Sequence, residues 1–568
     1  MSNLELLSND DRRTNGKDVR AFNIHAARLI KGIIESSFGP QGNEKIYIDI
    51  IGEATFTKDG AAFLRKIDVQ HPAAKVLIDA VNTVDNEVGD GTLSVAIISA
   101  VLLEKAEEML SSNLYPATIS NGYSLGLQYS LEALNKISKN IRKFDMSFVQ
   151  KVLTNAFGTK ILSFPSDQSK ERSIADLVFE AINMVYMNNG NVLDIDNIKI
   201  EEKLGNVDES RLIDGILIDK TIDNGNMPRV KENAAILLLD DDLEPKRTRT
   251  DAILSIKNPK NMGLFYVEEN NMIKEKLQNI VDCGVDVVFS RKGIGLFAQD
   301  LLSKAGIISV RRVKENDLHW LEKATGGKII KELNVKDIKG NLGFSGKVYE
   351  KKVNDDKMVF VEKCNSPKAV TILIRANSKM ILDEYHRAIV RGITMAKRFI
   401  QNPSIVIGGG SCEAILAHYI RKKAHSISGG EQIALTKFAD AIEEIPLTLA
   451  RNSGMNVIDS LIKLRHNLSK EIVDEKIKWF GIDTNKRNIC ELDWELIEPT
   501  VVKEQILITA TEVSRLLVNI DDIIIKKPLM NTHTHEDGTV HSHEGGNEKH
   551  DHYFDKLGKQ QRPNHHYY

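Results

Sequence analysis

The chain has 568 residues, too many for one hydrophobic core, so about two to four domains are expected. Apolar residues make up 42% and charged residues 27%, the balance of a globular protein, and a formal net charge of −3 gives no reason to expect a polyanion partner such as nucleic acid. The four cysteines, Cys283, Cys364, Cys412 and Cys490, are far apart and form no CxxC pair, which argues against a thiolate zinc site or a disulfide frame and for a reducing compartment.

The N-terminal "MSNLELLSNDDRRTNGKD" lacks the apolar stretch of a signal peptide, and no apolar run reaches the ~18–20 residues that cross a bilayer. A cytoplasmic protein without membrane contact is the expectation. From Asp18 to Phe38, Val19, Phe22, Ala26, Leu29, Ile30, Ile33 and Ile34 form a helical stripe that "SSFGPQG" ends. "KIYIDI" and "ATFT" then predict a hairpin around Gly52 and Glu53. Pro72 opens a helix, and "LSVAIISAVLLEKAEEML" is apolar on nearly every side, the pattern of a helix inside a large core. The helical pattern continues from Tyr115 to about Ile141.

The middle of the chain changes texture. Short β-type runs, "AAILLL", "VDVVFS", "GIISVRR" and "AVTILIRA", alternate with helical stretches such as "NMIKEKLQNIVD" and predict an α/β domain over about 213–365. Within it "EPKRTRTDAILSIKNPKNMGLFYVEENN" reads as long, charged and irregular, with Leu264, Phe265 and Tyr266 as exposed candidates; compact domains keep such stretches when they have a task. Helical texture returns from Asn402, with three glycines in "SIVIGGGSCEAILAHYI" before a helix and Gly454 after another. "TVVKEQILITATEVSRLLVNIDDIII" is a helix with a β-type end. An α-rich domain interrupted by an α/β insertion, with both chain ends in the first, accounts for this order. Residues 528–568 hold eight of the fifteen histidines and almost no aliphatic side chains, so disorder is expected there.

"NEVGDGTLS", Asn86 to Ser94, precedes the buried helix. Helix N-terminal N–H groups favour an anion, glycines admit a phosphate, Asp90 could ligate magnesium, and Thr92 and Ser94 offer hydroxyls. Four residues of that kind equally describe an ordinary turn and N-cap. "FGPQG", "GGGSCE" and "TKDGAA" add further glycine turns in the α-rich flanks, and together they suggest one composite nucleotide pocket. Cys412 beside the glycines has no paired histidine and reads as a small buried residue. The histidine pairs His533/His535, His541/His543 and His550/His552 could bind zinc, nickel or copper weakly, or belong to a solvated tail.

The stretches "FNIHAARLIKGIIESSFGPQGNEK", "TKDGAAFLRKIDVQHPAAKVL", "NEVGDGTLSVAII", "VRRVKENDLHWLEKATGGKII", "NPSIVIGGGSCEAILA" and "GIDTN", in this order from Arg12 to Lys527, resemble a group II chaperonin subunit of the archaeal thermosome type. The resemblance implies a multidomain α/β protein. Its α-rich, split equatorial domain (1–142 and 402–527) would bind ATP with magnesium, and a small α+β intermediate domain (143–212 and 366–401) would act as a hinge. The α/β apical domain (213–365) would grip unfolded or partly folded protein, with a helical protrusion near 243–272 as a lid. Partners would be paralogous subunits in a stacked double ring, and the "NIDDIII" strand would pair with a neighbour's "KIYIDI–ATFT" hairpin.

By the same resemblance, Gly39 and Pro40 match the first nucleotide loop. Asp90, Gly91, Thr92 and Ser94 match the magnesium and phosphate loop, with Asp90 as metal ligand. Gly409 and Gly410 face the ribose, and Asp483 and Glu498 lie near base and sugar. Lys160 matches a lysine that senses the γ-phosphate, and Asp59, followed by Gly60, matches one of two aspartates that position the attacking water. Two departures stand out. The second aspartate's position is Arg391 here, in "DEYHRAIVRGITMAKRF", and a guanidinium stays protonated and cannot serve as a base, though it can hold phosphate. Leu93 replaces a threonine usual in the phosphate loop. The resulting expectation is an ATP-binding chaperonin subunit that hydrolyses slowly or not at all, within a mixed ring. A register slip around Arg391, a nucleotide-dependent transferase and a structural ring subunit with no ATP cycle are the alternatives.

Overall fold

The computed structural model describes residues 12–15, 17–52, 54–142, 144–158, 173–244, 259–354, 356–471, 478–525, 531–534 and 540–543. They fall into two compact units, one drawn from Met1–Phe22 and Ile520–Tyr568, the other from Asn23–Asn519. The protein is mixed α/β, rich in helix, with one large sheet and several small ones.

In the larger unit the helix Thr92–Ser111 is the central element: Val95 through Leu103 are buried without interruption. It packs against the helices Pro72–Val88, Gly430–Asn452 and Thr500–Asn519. Each of these presents its own apolar stripe, and a helix apolar all round is stable only where neighbours cover every side. Pro72 occupies the first helical position, where its missing N–H costs nothing. The predicted hairpin forms from Lys45–Ile48 and Ala54–Thr57, turning through Gly52 at φ +85°. Ile46, Ile48, Ile50 and Ile51 on and beside it are exposed.

The large sheet has seven strands. Ile308–Val310, Val287–Ser290 and Val230–Leu239 run parallel, with Ile329–Ile330 also beside Val230–Leu239; Gly343–Val353, Asp356–Cys364 and Ile216–Ile218 follow antiparallel. Ala234–Leu239 is buried at every position, as a central strand covered on both faces must be. A separate three-stranded sheet joins Val370–Ala376 to Ile198–Leu204 in parallel and to Arg211–Ile213 antiparallel. The long helix Lys379–Gln401 packs on this sheet and on the helices Met146–Gly158 and Ile174–Asn188, sharing one apolar cluster with them. A third sheet pairs Ser404–Ile407 with Ile497–Pro499 and Lys139–Asn140.

Two expectations need comment. The charged stretch whose residue pattern reads as irregular is helical from Pro259, in line with the helical protrusion the resemblance implies and continuous with the predicted helical stretch "NMIKEKLQNIVD" in the helix Pro259–Asp282. Gly263 and the Asn270–Asn271 pair interrupt the apolar periodicity in sequence, but proline at the first position and the glutamates that follow are compatible with helix. The tail expected to be disordered contains two paired strands, Asn531–Thr534 and Val540–His543. Thr532, Thr534 and Val540 are β-branched, and the sequence between the strands contains Asp537-Gly538, a strong hairpin signal. In the same smaller unit Asp522–Ile525 pairs antiparallel with Arg12–Asn15, so one edge of this strand is taken by a segment of the same chain.

Candidate functional site

The helix Thr92–Ser111 begins at Gly91, whose φ of +81° suits glycine and whose lack of a side chain leaves the first turn without a side-chain cap. First-turn N–H groups have no intrahelical acceptor and carry the positive end of the helix dipole. Thr92 and Ser94 are buried there, and Asp90 is exposed, its Oδ1 accepting from the Gly91 N–H at 2.8 Å. The preceding helix, Pro72–Val88, stops at Gly89, also at positive φ.

Other predicted loops converge on this end. Gly39, at φ +82°, and Pro40 form the first, and the Pro40 carbonyl accepts from Lys58 Nζ at 2.9 Å, which ties it to the turn carrying Asp59. Gly409 and Gly410, both at positive φ, lead into the helix Ser411–Ala424, again without a side-chain cap. The Gly409 carbonyl accepts from Ile482 N at 2.9 Å, bringing the strand Phe480–Asp483 alongside. Gly408 faces the Glu498 carboxylate so closely that a Cβ would stand 2.2 Å from Oε1. Glu498 pairs with Lys503, whose Nζ also donates to Glu413 at 2.6 Å. Burial pushes the Glu498 carboxyl up, Lys503 opposes this, and the charges of Glu413 and Asp90 add to the rise. Asp483 is committed locally: its Oδ1 accepts from the N–H groups of Asn485 and Lys486, which holds its carboxyl below the usual range.

Asp59 and Arg391 meet. Asp59 is the N-cap of the short helix Gly60–Lys66, its Oδ1 accepting from Ala61 N at 2.9 Å and Ala62 N at 3.2 Å. Its Oδ2 contacts Arg391 Nη1 in an ion pair, and its side chain is 1% exposed. Arg391 Nε also lies 2.5 Å from Asp85 Oδ1, while Asp85 Oδ2 takes Arg65 at 2.5 Å. Two carboxylates and two guanidiniums thus alternate in a chain, Asp59–Arg391–Asp85–Arg65. Burial works against the Arg391 charge, but the two carboxylates outweigh it and hold the guanidinium above its already high range. Both oxygens of Asp59 are therefore engaged, one by backbone N–H groups and one by a cation.

Leu93 has a packing role. Its Cδ2 lies against the Cα of Gly60, where a Cβ would come within 2.0 Å. Leucine here caps the turn bearing Asp59 with hydrocarbon in place of a hydroxyl. Cys412 is fully buried, and burial raises its thiol well above the ordinary range, which removes it as a nucleophile.

Asp85, Arg65, Lys58, Glu413 and Lys503 were not singled out from sequence. Asp85 had a signal: it occupies the i+4 position of the buried stripe Val81, Val84, Val88, where an apolar residue belongs. Lys160, His535, His550 and His552 lie outside the described residues. His533 and His541 are cross-strand partners in the tail hairpin, and His543 follows at i+2. Among the described residues no cluster of histidine, cysteine or carboxylate could by itself hold a metal ion, and no helix is long and apolar enough to cross a membrane. The oxygen donors at the uncapped helix start, Asp90, Thr92 and Ser94, suit a hard cation that arrives with phosphate.

The family model of the TCP-1/cpn60 chaperonin family matches residues 30–528. The chain is 40% identical to a thermosome subunit of Methanocaldococcus jannaschii over 522 residues, covering 91% of this chain and 94% of that protein. It is 39% identical to thermosome subunit beta of Archaeoglobus fulgidus over 529 residues and 38% identical to thermosome subunit alpha of the same organism over 528, in each case covering 92% of this chain and 95% of the relative. The glycine turns converging on two uncapped helix starts and the match along almost the whole chain point the same way: the chain belongs to the TCP-1/cpn60 chaperonin family and is an ATP-dependent, group II chaperonin subunit.

Proposed function

We propose that this chaperonin subunit binds ATP with magnesium in the pocket built from Gly39, Pro40, Gly60, Asp90, Gly91, Thr92, Ser94, Gly409, Gly410 and Glu498, and that it hydrolyses the nucleotide slowly or not at all. In a stacked double ring it would work beside competent paralogues, enclosing unfolded or partly folded proteins. Residues 1–142 with 402–527 would hold the nucleotide, 143–212 with 366–401 would act as the hinge, and 213–365 would hold the client. Lys160 and Asp483 remain candidates for γ-phosphate and base contacts. The family assignment displaces the transferase alternative.

The observation that carries this reading is the ion pair between Arg391 and Asp59. Positioned carboxylates orient the attacking water and take its proton, a contribution of about 10²–10⁴ in rate. Here one of the two positions holds a permanent cation, and that cation occupies an oxygen of the other. The first-turn N–H groups at Thr92–Ser94 and the hydroxyls still offer binding, so affinity survives where turnover does not. Magnesium, when bound, would neutralise phosphate charge beside Asp90.

Phosphate release from Mg-ATP by the purified oligomer tests this. Wild-type protein should release little phosphate while retaining nucleotide, Arg391→Asp should raise turnover by about 10²-fold or more, and the neutral Arg391→Asn, which frees Asp59 without supplying a carboxylate, should raise it less. Wild-type turnover equal to that of ordinary chaperonins would reject the reading.

A further inference from the structure

The helix Lys379–Gln401 touches the nucleotide loops through three polar side chains spaced seven residues apart: Glu384, Arg391 and Arg398. Seven residues are nearly two full turns, so the three lie along one face. Each meets a different part of the same wall. Glu384 Oε2 accepts from Thr57 Oγ1 at 3.1 Å. Arg391 takes Asp59 and Asp85. Arg398 Nε donates to the Glu87 carbonyl at 2.6 Å, and its Nη2 pairs with the Glu87 carboxylate. At the middle contact the backbones nearly touch: a Cβ on Gly89 would stand 2.5 Å from the Arg391 carbonyl oxygen.

We propose that Glu384, Arg391 and Arg398 are positioning residues that dock this helix on the nucleotide loops before any nucleotide arrives. The central contact decides the sign of the interaction. A carboxylate at 391 would face Asp59 and Asp85 with like charge in place of the guanidinium, so the helix would be held off until a cation changed the local charge. The guanidinium at 391 makes the same approach attractive, and the flanking contacts at 384 and 398 fix its register. A ligand moves a conformational equilibrium only by its differential affinity for the two states. A helix already docked leaves ATP nothing to shift, so the closed arrangement of this subunit is set by its own side chains. This rests on the chaperonin assignment and on Arg391 facing the pocket, and it is independent of whether hydrolysis is slow.

Hydrogen exchange of the full-length oligomer, read on peptides covering 379–401 and 72–88 with and without Mg-ATP, tests it. Wild-type protein should protect both segments equally in the two conditions. Arg391→Asp should lose protection without nucleotide and regain it with Mg-ATP, Arg391→Lys should restore most of the nucleotide-free protection, and Glu384→Ala or Arg398→Ala should lower it in part. Fast exchange of wild-type 379–401 that slows only on adding Mg-ATP overturns the proposal, and this comparison decides even if Arg391→Asp fails to fold. Phosphate release from the same samples separates the two readings. Ordinary turnover with a docked helix rejects impaired hydrolysis alone, whereas nucleotide-driven docking without turnover rejects the pre-docked helix alone.

Discussion

Arg391 and Leu93 are both departures visible in the sequence, but only their neighbours give them meaning. Arg391 could be read as a lost carboxylate; that it sits between Asp59 and Asp85 could not, because Asp85 lies 306 positions away on a helix whose stripe otherwise reads as plain core. Arg65 gave no signal at all, being one of two basic residues ending a short helix. Leu93 was legible as a missing hydroxyl and is, in space, a lid over Gly60. Gly60→Ala should therefore destabilise the protein by about 1–3 kcal/mol through overpacking, despite alanine's better helix propensity. In a Leu93→Ala background the same change should become neutral or mildly stabilising. Denaturant melts of the four proteins measure that coupling, and equal costs in both backgrounds would show that the two residues do not press on each other.

At the scale of elements, the helices and most strands follow from periodicity, proline and glycine. Periodicity alone misses the first half of Pro259–Asp282, where a polar run hides a helix, and the strands Asn531–Thr534 and Val540–His543, whose residues do not alternate apolar and polar. One helix carries a titratable cap. His71 Nδ1 accepts from Ala73 N at 3.2 Å at the start of Pro72–Val88. Burial, with His25 nearby, lowers the His71 pKa from its ordinary value of 6.5. The folded protein then binds fewer protons than the unfolded chain, so this contribution is complete above the unfolded value and fades as pH falls through it toward the folded one. The first turn of Pro72–Val88 should show lower protection factors, measured against the intrinsic exchange rate at each pH, below about pH 6.5. His71→Asn, a non-titrating cap, should flatten that dependence; an unchanged pH profile in the variant would remove His71 as its cause.

For the whole molecule, the short β-type runs of the middle segment predict a sheet, and the large sheet forms where they placed it. What sequence could not supply was proximity between loops hundreds of residues apart, since a glycine turn looks alike in a pocket and on a surface. The tail provides a test of independence between parts. The register pairs His533 with His541, and the tail's histidine-rich sequence offers imidazoles to zinc. A chain ending at Lys527 should form the same oligomer as the full chain and lose zinc uptake in calorimetry. Equal uptake by both forms would clear the tail, and failure to assemble would give it a structural role.

The pairing of Arg12 with Ile525 puts two segments 513 positions apart side by side in an antiparallel ladder. Opposed residues in such a ladder are about 4.5–5.5 Å apart, the span of an ordinary tight turn. With the segments beyond Arg12 and Ile525 removed, a short turn could join these two residues, and the chain could then be opened in a different exposed loop without breaking a remaining strand or helix. The order in which the ribosome delivers the segments is thus separable from the architecture they build.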